Sequence, residues 1–209
     1  MKSRRGMTLA ELIIALAITS VVGAGVVAMT DAVARVLDQG RSERERTIAS
    51  AVASTRLSSI VAPCSCLLAI EGSTIVLWRG DTLRDKQVQA TELGWVRFEP
   101  ATGELRYEWV DFPDGWSAQD QASANRTCTL DENWDLVRIE YDQTGHLQHC
   151  VLLDGLSDVE PAIRQEELTN PLSARRMAWR LEWTGQSAVD STTVVAGAMH
   201  SHSTPEDYR

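Results

Sequence analysis

Between Met7 and Thr30 the chain places 24 residues in which Glu11 is the only charge. At about 1.5 Å of rise per residue, a helix of that length is long enough to cross a hydrocarbon core. Lys2, Arg4 and Arg5 precede it, and the positive-inside bias keeps such a start in the cytoplasm and sends the C-terminal bulk outward. A secretory signal peptide has the same polarity, and Ala24 to Ala28 offers small residues for its cleavage. The run is nevertheless longer than the usual apolar region of about 7–15 residues. A lone carboxylate near the middle of a bilayer costs roughly 2.5–3.5 kcal/mol, so Glu11 calls for a reason to be there.

The length of 209 residues suits one domain of ordinary size behind that segment, and an apolar fraction of 44% supports a folded core. Twenty Lys and Arg against 29 Asp and Glu give a net charge of −9. Loss of the three basic residues ahead of the apolar run leaves 17 against 29, a charge of −12. Such a balance argues against nucleic acid or anionic membrane surfaces as partners of the exported part.

The stretch RRG followed by MTLAELIIALAI resembles the type IV prepilin leader, which a dedicated membrane peptidase cuts after a glycine and whose mature chain carries a glutamate at its fifth position. With cleavage between Gly6 and Met7, Glu11 is that fifth residue. The resemblance spans roughly Lys2 to Ala28. Two departures accompany it: Met7 stands where phenylalanine is commoner, and no proline lies in the middle of the run, where Gly23 and Gly25 stand instead. The resemblance implies a leader of residues 1–6, methylation of the new amine on Met7, and pairing of Glu11 with that amine on a neighbouring subunit. It implies prepilin peptidase, other pilins or pseudopilins and the inner membrane as partners. Pairing would relieve two desolvation penalties and select one axial register; the plainer alternative is a Glu11 that snorkels to the headgroups.

Beyond residues 7–30, helical character continues through residues 31–62. Ala49, Val52, Ala53, Leu57 and Ile60 recur at three- and four-residue steps and predict an apolar face that packs on the following domain. Pro63 ends the pattern, and Gly40 lies in a wholly polar stretch where the helix has a place to break. Uninterrupted, it would be on the order of 80 Å long. After Pro63 the pattern becomes short alternating runs, read as strands: STIVLWRG, GWVRFEP, GELRYEWVD, WDLVRIEYD, GHLQHCVLLDG, ARRMAWRLEWTG and TTVVAGAMH. Two hairpins are predicted, turning at Pro100–Gly103 and at Asp142–Gly145. The expected class is α+β: a long N-terminal transmembrane helix, continued by a periplasmic helix on an antiparallel sheet head over 63–199, with a flexible tail at 200–209. The stretch from Trp134 to Met199 is also similar to the C-terminal half of minor pseudopilins of type II secretion systems, the J class, in which a hairpin leads to a turn like LLDGL and a further strand pair.

Four cysteines on the exported side suggest disulfides. Of three connectivities, the favoured one joins Cys128 to Cys150, with Cys64 and Cys66 left over or joined across. A zinc site from Cys64, Cys66 and His146 or His149 has a tighter spacing than the usual pattern. Asp111, Asp114 and Asp120 gather in one loop without the alternation of a calcium loop, and His200 and His202 lie in the polar tail. No G-x-S-x-G, phosphate-cradling loop or H-E-x-x-H occurs. No catalytic, cofactor or metal role is therefore assigned. The expected function is that of a minor pseudopilin at or near the tip of a secretion pseudopilus. Its rivals are a minor type IV pilus subunit, for which an exposed tryptophan patch would speak, and a plain anchored periplasmic protein.

Overall fold

The computed structural model describes residues 9–162, 170–184 and 192–205; the side chains of 11, 15, 34–43, 45, 46 and 192–196 are not described. Two compact units divide the chain, Met1–Ala49 and Ser50–Arg209. The described part of the first is helix alone. Helix α1 covers Leu9–Val61, 53 residues without interruption, so Gly40 is helical. A single glycine costs about 1 kcal/mol against alanine, which the hydrogen bonds of its flanking turns outweigh. The helix stops two residues before Pro63, as the steric restriction on residues preceding proline requires.

In the second unit, five antiparallel strands form the main sheet, in the order β1 (Cys66–Glu71), β2 (Thr74–Trp78), β4 (Leu93–Glu99), β5 (Glu104–Val110) and β7 (Leu147–Leu153). A second sheet holds β10 (Thr192–Ala198), β9 (Arg176–Trp183) and β8 (Leu156–Ala162), and a short pair joins β3 (Val88–Gln89) to β6 (Thr127–Cys128). The remaining helices are α2 (Ala118–Ala124) and α3 (Trp134–Gln143). The fold is α+β, an apolar N-terminal helix followed by an antiparallel sheet head.

Both faces of the main sheet carry a buried core, while its edge strand β7 is exposed from Gln148 to Val151. On one face Ala53, Leu57 and Val61 of α1 pack with Leu67, Ile75, Leu77, Val96 and Leu105, and the second sheet closes this core with Val159, Met177, Trp179 and Leu181. Gly197 of β10 lets that strand approach α1, since a Cβ there would lie 3.2 Å from Val61. The buried stripe of α1 runs at four-residue steps through Val61, whereas Val52, expected in it, is exposed. On the opposite face Trp78, Trp95, Leu93 and Val110 meet Trp134, Val137 and Tyr141 of α3.

The β4–β5 hairpin turns where expected. Gly103 takes φ +68 and donates its N–H to Glu99 O at 2.9 Å, and its missing Cβ leaves room for Leu156 O. The second predicted hairpin is absent, because WDLVRIEYD is α3. Its buried residues, Trp134, Val137 and Tyr141, are spaced three and four apart. Asn133 caps its start by accepting from the N–H groups of Asp135 and Leu136, both at 3.1 Å. At its end Gly145 (φ +74) donates to Asp142 O at 3.0 Å and His146 to Tyr141 O at 2.9 Å, the paired bonds of a Schellman motif. Glycine is needed at Gly145 for positive φ, in a helix end rather than a hairpin turn.

The segment from His200 to Pro205 is also ordered by contacts where a flexible tail was expected. His200 N donates to Ala62 O at 2.9 Å, Ser203 N donates to Ser65 O at 3.1 Å, and Pro205 is buried. Leu57→Ala is predicted to remove about 2–5 kcal/mol of stability, and Gly145→Ala about 1 kcal/mol through the strained φ. Denaturant unfolding of the two variants checks both values.

Candidate functional site

A membrane segment must satisfy its own backbone and polar side chains, and the hydroxyls of Ser20 and Thr30 in α1 do so. Leu12–Val33 is apolar enough to cross a bilayer, and none of its described residues is buried. Leu12, Ile13, Ile14, Leu16, Ile18, Val21, Val22, Val26 and Val27 all stand exposed. The hydroxyls turn back onto the helix: Ser20 Oγ donates to Leu16 O at 2.8 Å and Thr30 Oγ1 to Val26 O at 2.9 Å. Gly6 and Met7 lie outside the described residues. Glu11 is described for its backbone alone, in the first turn of α1.

Glu108, the deepest acid on the sheet face beneath α3, is held by Arg97 at 3.0 Å and faces Arg138 of α3 at 3.5 Å. A carboxylate between two guanidiniums joins helix to sheet. Glu92, also buried, accepts from Trp78 Nε1 at 3.0 Å, Gln89 N at 3.2 Å, and the backbone N and hydroxyl of Thr82, so it anchors the loop after β2.

The acidic loop residues separate in role. Asp120 closes a capping box with Ser117 at the start of α2, while Asp111 and Asp114 line a surface hollow of about 280 Å³ with His146. The His146 ring is packed edge-on against Phe112 and Trp116, at 5.4 and 4.8 Å between centroids. Among the described residues no group of three or more His, Cys, Asp or Glu is placed to hold a metal ion. His202 instead contacts Leu172 O at 2.9 Å.

None of the four cysteines is bridged, and the expected Cys128–Cys150 disulfide is not formed. The physical reason is placement. Cys128 lies in β6, buried in the core beneath α3, while Cys150 is exposed on β7 opposite Tyr107. Cys64 and Cys66 belong to opposite cores of the sheet. Burial pushes the thiols of Cys64 and Cys128 up to about 11, and burial together with nearby Cys64 pushes Cys66 to about 12. These three are inert at neutral pH on both access and ionisation.

Residues 1–27 match the model of the prokaryotic N-terminal methylation motif. No curated protein matches the chain. The chain therefore carries a type IV pilin-like signal, that of a prepilin peptidase substrate anchored in the membrane through its apolar helix, ahead of an α+β head. A thiol-alkylating reagent is predicted to modify one cysteine per native chain, Cys150, and all four after denaturation. Intact mass before and after unfolding measures this.

Proposed function

We propose that the protein is a minor pseudopilin of the type II secretion class, assembled at or near the tip of a short pseudopilus that supports protein export. The single observation behind this reading is the exposed apolar surface of Leu12–Val33, joined to a methylation motif over residues 1–27 in which Glu11 is the only charge from Met7 onward. Lipid covers that surface before assembly, and other helices of the same kind cover it afterwards. Prepilin peptidase cuts between Gly6 and Met7, Met7 is N-methylated, and Glu11 pairs with the terminal amine of a neighbour. The N-terminus starts in the cytoplasm, the helix spans the inner membrane and the head lies in the periplasm. The protein works by assembly and turns over no substrate.

The head favours this reading over a display module. All seven tryptophans are buried or half-buried; Trp109 stacks on Tyr107 and Trp116 on Phe112. No exposed tryptophan patch supports an adhesin. The J-class resemblance keeps its LLDGL turn, where Gly155 takes φ +71 between β7 and β8, and its β9–β10 pair. Its hairpin is replaced by α3 and β7.

Glu11→Gln leaves the neighbour's amine without a counter-charge in lipid, a loss of about 3 kcal/mol or more. Pseudopilus incorporation and cargo export are therefore predicted to fall at least roughly tenfold, with leader removal unchanged. Quantifying the variant in sheared pseudopili and cargo in the medium tests it; wild-type levels of both would overturn the pairing.

A further inference from the structure

Aspartate followed by glycine is the pair in which a side chain most readily attacks its own main chain, because glycine puts no Cβ beside the attacking nitrogen. The sequence holds it twice, at Asp114–Gly115 and at Asp154–Gly155. We propose that Asp114 is a site of spontaneous covalent modification in the native head, converting through a succinimide to isoaspartate, and that the fold withholds Asp154 from the same reaction. The inference rests on the head alone and goes beyond the assembly reading.

In the first step the Gly115 nitrogen attacks Asp114 Cγ and a C–N bond forms; the protonated carboxyl loses its hydroxyl and the amide its hydrogen, together one water. In the second, one water re-enters the ring. Opening at Cγ restores aspartate, whereas opening at the main-chain carbonyl carbon leaves the chain routed through Cβ, which is isoaspartate. The mass is unchanged, and no oxidant, reductant or second reactant besides water takes part.

Ring closure turns the peptide between aspartate and glycine towards the aspartate side chain, so the glycine must be free to move. Exposure does not separate the two pairs, since all four residues are exposed. Attachment does. Asp114 and Gly115 are the central residues of a turn closed by one bond, Trp116 N to Pro113 O at 3.0 Å. Among the described residues nothing hydrogen-bonds the Asp114 carboxylate or the Gly115 N–H, and the hollow of about 280 Å³ that Asp114 lines gives the ring room. Gly155, at φ +71, is pinned: its carbonyl accepts from Thr184 N at 2.9 Å, and the next N–H, that of Leu156, donates to Gly103 O at 3.0 Å. Leu153 and Leu156 on either side are buried in the core against α1. At Asp114 the product lengthens the main chain between Phe112 and Trp116, whose rings stack at 5.5 Å, and so disturbs the seat of Trp116 on His146.

The test incubates the full chain in detergent micelles at neutral pH and physiological temperature, once native and once in denaturant. Peptide mapping with electron-transfer fragmentation tells isoaspartate from aspartate at each position. In the native chain isoaspartate is expected to accumulate at Asp114 at least roughly tenfold faster than at Asp154, where two hydrogen bonds must open first. In denaturant the two rates are expected to converge. Gly115→Ala, whose Cβ meets no atom within 4 Å, is expected to slow the reaction at Asp114 severalfold at an unchanged melting temperature. Equal native rates, an Asp114 that converts only in denaturant, or a preference that persists undiminished in denaturant would each overturn the proposal.

Discussion

An exposed apolar helix surface of membrane-spanning length is the constraint on which the rest of this molecule depends. The described side chains of Leu12–Val33 are all exposed. At about 25 cal/mol per Å², returning that surface to water would cost far more than the roughly 2.5–3.5 kcal/mol charged for one carboxylate in lipid. The segment therefore tolerates Glu11 and still remains in the bilayer. It leaves only for surroundings that are equally apolar and that offer the carboxylate a partner. A bundle of like helices with terminal amines meets both conditions, and this links a motif at one end of the chain to assembly as the activity.

The final turns of the same helix obey a different rule. From Ser50 onward only the stripe through Ala53, Leu57 and Val61 is apolar and buried, because here a sheet covers one side and water the other. The sheet is sandwiched in turn, since α3 covers its second face and the Arg97–Glu108–Arg138 group ties helix to strand. Removing either guanidinium would leave a buried carboxylate short of compensation, so this group specifies where α3 sits as much as it stabilises.

The parts legible in the sequence were those governed by one dominant signal. Hydropathy revealed the start of α1, Pro63 its end, and the Pro100–Gly103 turn the first hairpin. Helix α3 was misread because Val137, Ile139 and Tyr141 alternate with charged residues and imitate a strand. Asn133 as cap and Gly145 as helix terminator carried the contrary signal, and tertiary contact with Trp95 and Val110 decided it. Strand β8 was missed because Ser157, Asp158, Glu160 and Pro161 make it polar. The separation of the four thiols was hidden for another reason: it depends on which core of the sheet each strand presents its cysteine to.

The central claim is that the mature protein begins at a modified Met7, placing a charged amine in register for a neighbour's Glu11. The most direct measurement is the intact mass and N-terminal fragment spectrum of the chain purified from its native membrane. The account predicts the mass of residues 7–209 plus one methyl group, with the methyl on Met7. A chain that still begins at Met1, or one cut near Ala24–Ala28, would contradict it.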